Sequence, residues 1–261
     1  MSDQRVRHIL ALSGGKDSSA LAVYMRDKVS DMEYVFCDTG KELPETYEYL
    51  ARLEAYLGRP VVRLNPERGF DHWLEVYGGY LPSPRMRWCT RMLKLKPFEK
   101  YIGDDPVISY VGIRGDEDRV GYISTKPNIK AVFPFKDAGL GHADIMRLLE
   151  EAGLGLPSYY KWRSRSGCYF CFFQRKVEWA GLLEEHPDLY ESAKDYEKQD
   201  PESGQRYTWS ERESLDELAR PERLVQIRIG SGGVSKERGG MRLVDLLDDD
   251  EDEVGCAICT I

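Results

Sequence analysis

Over the first 155 residues, short apolar runs alternate with segments whose apolar positions recur every three or four residues. Residues 8–12 (His-Ile-Leu-Ala-Leu) read as a buried strand, and Ala20, Leu21, Val23 and Tyr24 start a helix reaching about Arg26. Residues 32–36 form a second apolar run. Tyr47, Leu50, Leu53 and Leu57 then follow at helical spacing, and residues 61–64 give a third strand. A helix after Cys89 carries Met92, Leu93 and Phe98. Residues 107–111 are a further strand, and 131–135 precede a helix over about 142–152 with Ile145, Leu148 and Leu149 on one face. Strands alternating with helices predict an α/β fold on a parallel sheet, with ligands at the carboxyl ends of the strands.

Elsewhere the pattern changes. Residues 70–88, rich in aromatics, Gly and Pro, read as a loop with short helical pieces. From Leu156, aromatic residues crowd around Cys168 and Cys171, and two short helices are expected near 175–197 and 210–219. Residues 228–240 are Gly-rich. The division expected is an α/β part over 1–155, a helical Cys-x-x-Cys part over 156–227, and a flexible Gly-rich and acidic tail over 228–261 holding a second Cys-x-x-Cys.

Composition narrows the class. No apolar run approaches the roughly 20 residues needed to span a bilayer, and the N-terminus lacks the apolar core of a signal peptide. A cytosolic protein is expected. The net charge of −8 comes mostly from seven acids within 245–253; up to Arg242 the chain balances 37 bases against 38 acids. That balance neither demands nor excludes a nucleic-acid partner, so local clusters decide. Arg85, Arg87, Arg91, Lys94 and Lys96 are dense. Lys161, Arg163, Arg165, Arg175 and Lys176 flank aromatic residues, a mixture that suits backbone contact plus base stacking. A sulfonucleotide's phosphates or an acidic partner would also suit it. The six cysteines of a cytosolic chain point to metal or redox chemistry rather than disulfides. The four histidines show no ligand spacing.

The strand at 8–12 breaks into Ser13-Gly14-Gly15-Lys16-Asp17-Ser18. Strand, Gly-rich turn and helix present backbone N–H groups and a positive dipole end to phosphate. The spacing is not that of a Walker loop. Ser-Gly-Gly-Lys-Asp-Ser resembles instead the pyrophosphate loop (PP-loop) of the N-type ATP pyrophosphatases, which cleave ATP between the α and β phosphates. Phe36-Cys37-Asp38-Thr39-Gly40 with Pro44-Glu45-Thr46 is similar to a second signature, in the PAPS-reductase-like branch. So are Cys89 through Phe98, Gly112-Ile113-Arg114 with Asp116, Glu117 and Arg119, and Phe133-Pro134-Phe135. These matches span about residues 8–175 in the family's order.

The resemblance implies a five-stranded parallel sheet of the adenine nucleotide alpha-hydrolase type with helices on both faces. It implies ATP and Mg²⁺ as ligands. Ser13, Gly14, Gly15, Lys16, Asp17 and Ser18 would meet the phosphates, Arg114 and Arg119 would supply further cations, and Asp38, Thr39 and Gly40 would line adenine and ribose. Lys16, Asp17 and Arg114 are the expected catalytic residues.

Within the branch, the chain lacks the Glu-Cys-Gly-Leu-His segment of sulfonucleotide reductases. It carries Cys89-Thr90 where APS-reducing members have a Cys-Cys pair. It resembles more closely the ATP pyrophosphatases of DNA phosphorothioation, from the Dnd and Ssp systems, which work with a cysteine desulfurase and carry an iron–sulfur cluster. This implies Cys89, Cys168 and Cys171 as ligands of a [4Fe-4S] cluster with one iron open, DNA and a desulfurase as partners, and no membrane; a homo-oligomer stays open. Read alone, Cys168-x-x-Cys171 is equally a zinc half-site or a redox dithiol. A four-cysteine zinc site with Cys256 and Cys259 would need an 84-residue spacer, far beyond common zinc ribbons. Sulfonucleotide reduction, thiolation of tRNA or a small molecule, and a non-catalytic docking subunit are the competing readings.

Overall fold

In the computed structural model, residues 5–118, 126–199, 204–210 and 213–232 are described. Strands β1 (Arg7–Leu12), β2 (Met32–Cys37), β3 (Val61–Leu64), β4 (Val107–Tyr110) and β5 (Ile129–Val132) form one all-parallel sheet in the order β3-β2-β1-β4-β5. The expected five-stranded α/β sheet is present.

Helices run in chain order as α1 (Lys16–Met25), α2 (Pro44–Leu57), α3 (Phe70–Val76), α4 (Trp88–Thr90), α5 (Lys96–Ile102), α6 (Pro134–Asp137), α7 (His142–Glu151), α8 (Lys176–Glu185), α9 (Pro187–Lys194), α10 (Leu215–Leu218) and α11 (Pro221–Gly232). A π-helical turn, Arg91–Leu95, joins α4 to α5. Side chains alternate across a strand, and here each set finds its own cover. Leu10, Leu12, Tyr34 and Phe36 pack with α1, α2 and α7, while Ile9, Ala11, Val35 and Cys37 pack on Phe98 and Ile102 of α5. Burial on both faces explains why β1 and β2 read as continuous apolar runs.

The chain leaves β1 toward β2 on one side and returns to β4 on the other. The strand order thus reverses between β1 and β4, and this topology places ligands beyond the carboxyl ends of the strands at that point.

Residues 156–227 do not form a separate body. Their aromatics share a core with α3 and α4: Phe170 stacks on Trp209 at 4.9 Å, and Phe70 lies 4.5 Å from Phe170 and 5.0 Å from Trp88. The helix expected over 175–197 is two helices. His186 leaves the helical region at φ −140°, and Pro187 opens α9, since proline has no N–H to continue α8. The helix expected near 210–219 is the short α10. Helix α11 continues to Gly232, across the 227/228 boundary drawn from the Gly-rich composition. Among the described residues, no helix is long and apolar enough to cross a membrane.

Candidate active site

The six residues of the loop turn sharply off β1. Ser13 N–H donates to Ser18 Oγ at 3.1 Å, Gly15 N–H donates to Ser13 Oγ at 3.3 Å, and the two serine hydroxyls lie 3.0 Å apart. Gly14 sits at φ +74°, and a Cβ there would lie 2.5 Å from Thr46 Cγ2. Glycine is therefore required by conformation and by space. Gly112, just past β4, abuts the start of α1: a Cβ there would stand 3.1 Å from Asp17 O.

Arg114 enters the site from that β4 turn. Its Nη1 lies 3.0 Å from Asp17 Oδ1 and 2.7 Å from Glu117 Oε1, and its Nε donates to Asp116 at 2.8 Å. Burial lowers its pKa, but the Asp116, Asp17 and Glu117 carboxylates outweigh that and raise it. Lys16 Nζ lies 3.5 Å from Asp17 Oδ2. Asp17 thus ties the loop lysine to Arg114 instead of capping α1. Arg119 lies outside the described residues.

The second turn leaves β2 beside the loop. Asp38 Oδ1 accepts from Gly40 N–H at 2.9 Å and from Tyr47 Oη at 2.7 Å. Such an Asx turn is a local reason for Asp before Thr-Gly. Thr39 Oγ1 donates to the buried Glu42 at 3.0 Å and lies 3.2 Å from Cys168 Sγ. Tyr169 N–H donates to Lys41 O at 2.9 Å, so the Cys-x-x-Cys segment is stitched onto this turn.

Cys89, Cys168 and Cys171 line one cavity with Thr39, Phe70, Phe170, Phe172 and Phe173. The space between these side chains, about 480 Å³, runs out into open solvent and is not an enclosed chamber. Burial pushes the Cys168 thiol well up, and the Glu42 carboxylate, 3.7 Å from Sγ, adds to that. Among the described residues, no three His, Cys, Asp or Glu side chains are grouped as metal ligands. All three cysteines line this one cavity, but the structure does not close them into a ligand set. Cys37 stays apart: it is buried, its Sγ donates to Lys94 O at 3.6 Å, and burial lifts its pKa to about 11. Cys256 and Cys259 lie outside the described residues.

The basic cluster divides. Arg163 is 2% exposed and donates to the carbonyls of Gly167 at 3.1 Å and Cys168 at 2.9 Å. It braces the cysteine turn, so the expectation that it faces a polyanion is corrected. Arg175 and Lys176 pair with Glu178 and Glu213. Arg87 and Arg165 flank Phe173, their guanidinium carbons 4.9 and 5.2 Å from its ring centre, and Arg85 and Arg91 are exposed.

The loop contacts of Tyr159, Tyr160 and Ser166 had no signal in the sequence. Tyr159 Oη donates to Gly14 O at 2.9 Å, Lys16 N–H donates to Tyr160 Oη at 3.1 Å, and Ser166 Oγ donates to Ser13 Oγ at 3.1 Å. These contacts span more than 140 positions. The aromatic crowding was visible; the partners of its hydroxyls were not.

Strand, Gly-rich turn and helix at the switch point of a parallel sheet define an α/β protein of the PP-loop kind. The chain belongs to the family described as phosphoadenosine phosphosulfate reductase domain, whose sequence model matches residues 7–169. An uncharacterised protein of Methanocaldococcus jannaschii is 32% identical over 197 residues, covering 70% of this chain and 40% of that protein. A tRNA-specific 2-thiouridylase, MnmA of Streptococcus uberis, is 28% identical over 216 residues, covering 67% of this chain and 55% of MnmA. The chain thus spans about half the length of these two relatives. The crystal structure of the PAPS reductase of Candida auris superposes with a TM-score of 0.51 at 15% identity, covering 64% of this chain and 83% of that one, a likeness of fold.

Proposed function

We propose that the chain is an ATP pyrophosphatase that adenylylates a DNA backbone phosphate so that sulfur can replace one of its oxygens. The observation that carries this reading is the 3.2 Å approach of Cys168 Sγ to Thr39 Oγ1. It sets the turn after β2, expected to line the nucleotide, directly against the cysteine-lined cavity, as coupled activation and sulfur transfer require.

In this reading the Ser13–Ser18 loop and the N-terminus of α1 hold the ATP phosphates, and Mg²⁺ enters with them. Lys16 meets the charge that develops as an acceptor oxygen attacks the α-phosphorus and pyrophosphate leaves. Asp17 and Arg114 hold Lys16 and the loop in register. Sulfur at the sulfide level then attacks the backbone phosphorus, and AMP departs. Arg87 and Arg165, which flank Phe173, and the exposed Arg85 and Arg91 suit DNA, through base stacking and phosphate contact.

Three cysteines lining one mostly apolar cavity are the type of donor a [4Fe-4S] cluster takes. Cys89, Cys168 and Cys171 would hold it, with Arg163 bracing the turn that carries the last two. When bound, such a cluster would supply an iron open to a sulfur donor; a cysteine desulfurase is the proposed source of that sulfur as a persulfide, and a thiol reductant supplies the two electrons that bring it to the sulfide level.

The test is pyrophosphate release from ATP, with and without DNA. Release stimulated by DNA, and about 100-fold weaker in Lys16→Ala, is expected. Sulfite formed from PAPS and a thiol, without ATP turnover, would instead identify a sulfonucleotide reductase. Thiolated tRNA as the product would move the acceptor from backbone to base.

The cofactor has its own readout. Anaerobically purified protein is expected to be brown, with close to four irons per chain, and Cys171→Ser should lose most of that iron. A colourless wild type with stoichiometric zinc removes the cluster from the proposal.

A further inference from the structure

One strap of chain, residues 159–171, touches both halves of the site. At its start, the stacked Tyr159 and Tyr160 rings (4.9 Å) lie against the loop. Tyr159 holds the carbonyl of Gly14. Tyr160 Oη accepts the N–H of Lys16, and Lys16 Nζ lies 5.2 Å from the centre of the same ring. Midway, Ser166 Oγ reaches Ser13 Oγ and fills the space where a Cβ on Gly15 would be, at 2.7 Å. At its end, Arg163 grips the carbonyls of Gly167 and Cys168, and Cys171 N–H donates to Cys168 O at 3.0 Å.

The N–H of Lys16 is the first of α1, one of the donors that a helix N-terminus offers to an anion. In this fold a phenol oxygen holds it. A phosphate oxygen that takes the same N–H must replace that phenol contact. Ser166 lies six positions after Tyr160, and Cys168 follows two later, so movement of the phenol is passed on through a short, braced segment.

We infer that Tyr160 is a positioning residue whose hydroxyl yields the Lys16 N–H to the phosphates of ATP, and that the strap from Tyr160 through Ser166 carries this exchange to the Cys168–Cys171 turn. The inference rests on the nucleotide part of the proposed function. It adds that nucleotide occupancy and cysteine geometry are linked, so that the sulfur site is set when ATP is bound. A ligand shifts a second site only through such a difference in contacts.

Hydrogen–deuterium exchange on the full chain tests this, with and without the non-cleavable analogue α,β-methylene-ATP. The amides to follow are those of Tyr169, Cys171 and Gln174, which donate to Lys41 O, Cys168 O and Cys171 O. In the wild type the analogue is expected to change their exchange at least threefold. Tyr160→Phe keeps the stacked ring and removes the competing oxygen. It is expected to bind the analogue several-fold more tightly by calorimetry and to show a much smaller change at the cysteine turn.

Three outcomes overturn the coupling. The analogue binds and leaves those amides unchanged; Tyr160→Phe keeps the full response; or Tyr160→Phe binds more weakly, which makes the hydroxyl a plain ligand. Absence of analogue binding to the wild type overturns the nucleotide reading as well, and so separates the two failures.

Discussion

Gly14→Ala is expected to lower stability by about 2–5 kcal/mol and to reduce pyrophosphate release at least 100-fold. Two costs add. A non-glycine residue held at φ +74° costs about 1–2 kcal/mol. The new methyl would also lie 2.5 Å from Cγ2 of Thr46, which is fully buried on the first turn of α2 and has no room to swing; such overpacking costs about 1–3 kcal/mol. The loop relieves the overlap by moving, and a shift of about 1 Å at a phosphate-binding turn costs on the order of 100-fold in rate. Gly58→Ala is the control. It has nearly the same φ, +64°, but nothing within 4 Å of its Cβ, so only the backbone part should appear. Urea midpoints of both variants check this. Thr46→Ser, which removes the obstructing methyl, should recover part of the loss in the Gly14→Ala background. Equal losses at positions 14 and 58 would refute the steric part of the argument.

Glu178→Ala is expected to destabilise the fold by about 3–5 kcal/mol, the range for removing one partner of a buried charged network. Glu178 is 0% exposed at the start of α8. Its Oε1 accepts from Ser164 N–H at 2.7 Å and Ser164 Oγ at 2.6 Å, and its Oε2 accepts from Arg175 N–H at 3.0 Å. It therefore anchors the strap between the loop and the cysteines, and its loss should loosen Cys168 and Cys171 as well as α8. Glu178→Gln, which keeps the shape and loses the charge, should cost about 1.5–3 kcal/mol.

The effect of pH on Glu178 has a definite sign. Burial pushes this carboxyl up, but the donors at Ser164 and Arg175 and the charge of Arg163 outweigh it and hold the pKa below the ordinary 4.5. The stability it contributes is therefore complete above about pH 4.5 and is lost as pH falls through the lower folded value. Denaturation midpoints of wild type and Glu178→Gln should converge below pH 4.5. A constant gap down to pH 3 would contradict the assignment.

Much of the site was legible in the chain because its reasons are local. Gly14 and Gly15 follow an apolar run and precede a helix, so a phosphate-type turn needed no distant contact to be recognised. Asp38 closes its turn on Gly40, two residues away. Cys168-x-x-Cys171 declares itself by spacing. The basic cluster shows the limit. Arg163 and Arg165 look alike in sequence, yet one is buried against two carbonyls and the other lies over Phe173. Nothing in the local pattern separates them, because burial is decided by what packs on top.

Sequence by itself determined the alternation of strands and helices, the place of the loop, and the types of donor available, since each follows from side-chain periodicity and backbone preference within a few residues. Only the tertiary structure decided that Tyr159, Tyr160 and Ser166 close over a loop more than 140 positions earlier, and it gave Cys89, Cys168 and Cys171, grouped beforehand by family resemblance alone, one cavity. The physical reason is that these contacts depend on the shared aromatic core of Phe70, Trp88, Phe170 and Trp209. Apolar burial has no direction of its own, so which distant surfaces it joins is settled only when the whole chain packs.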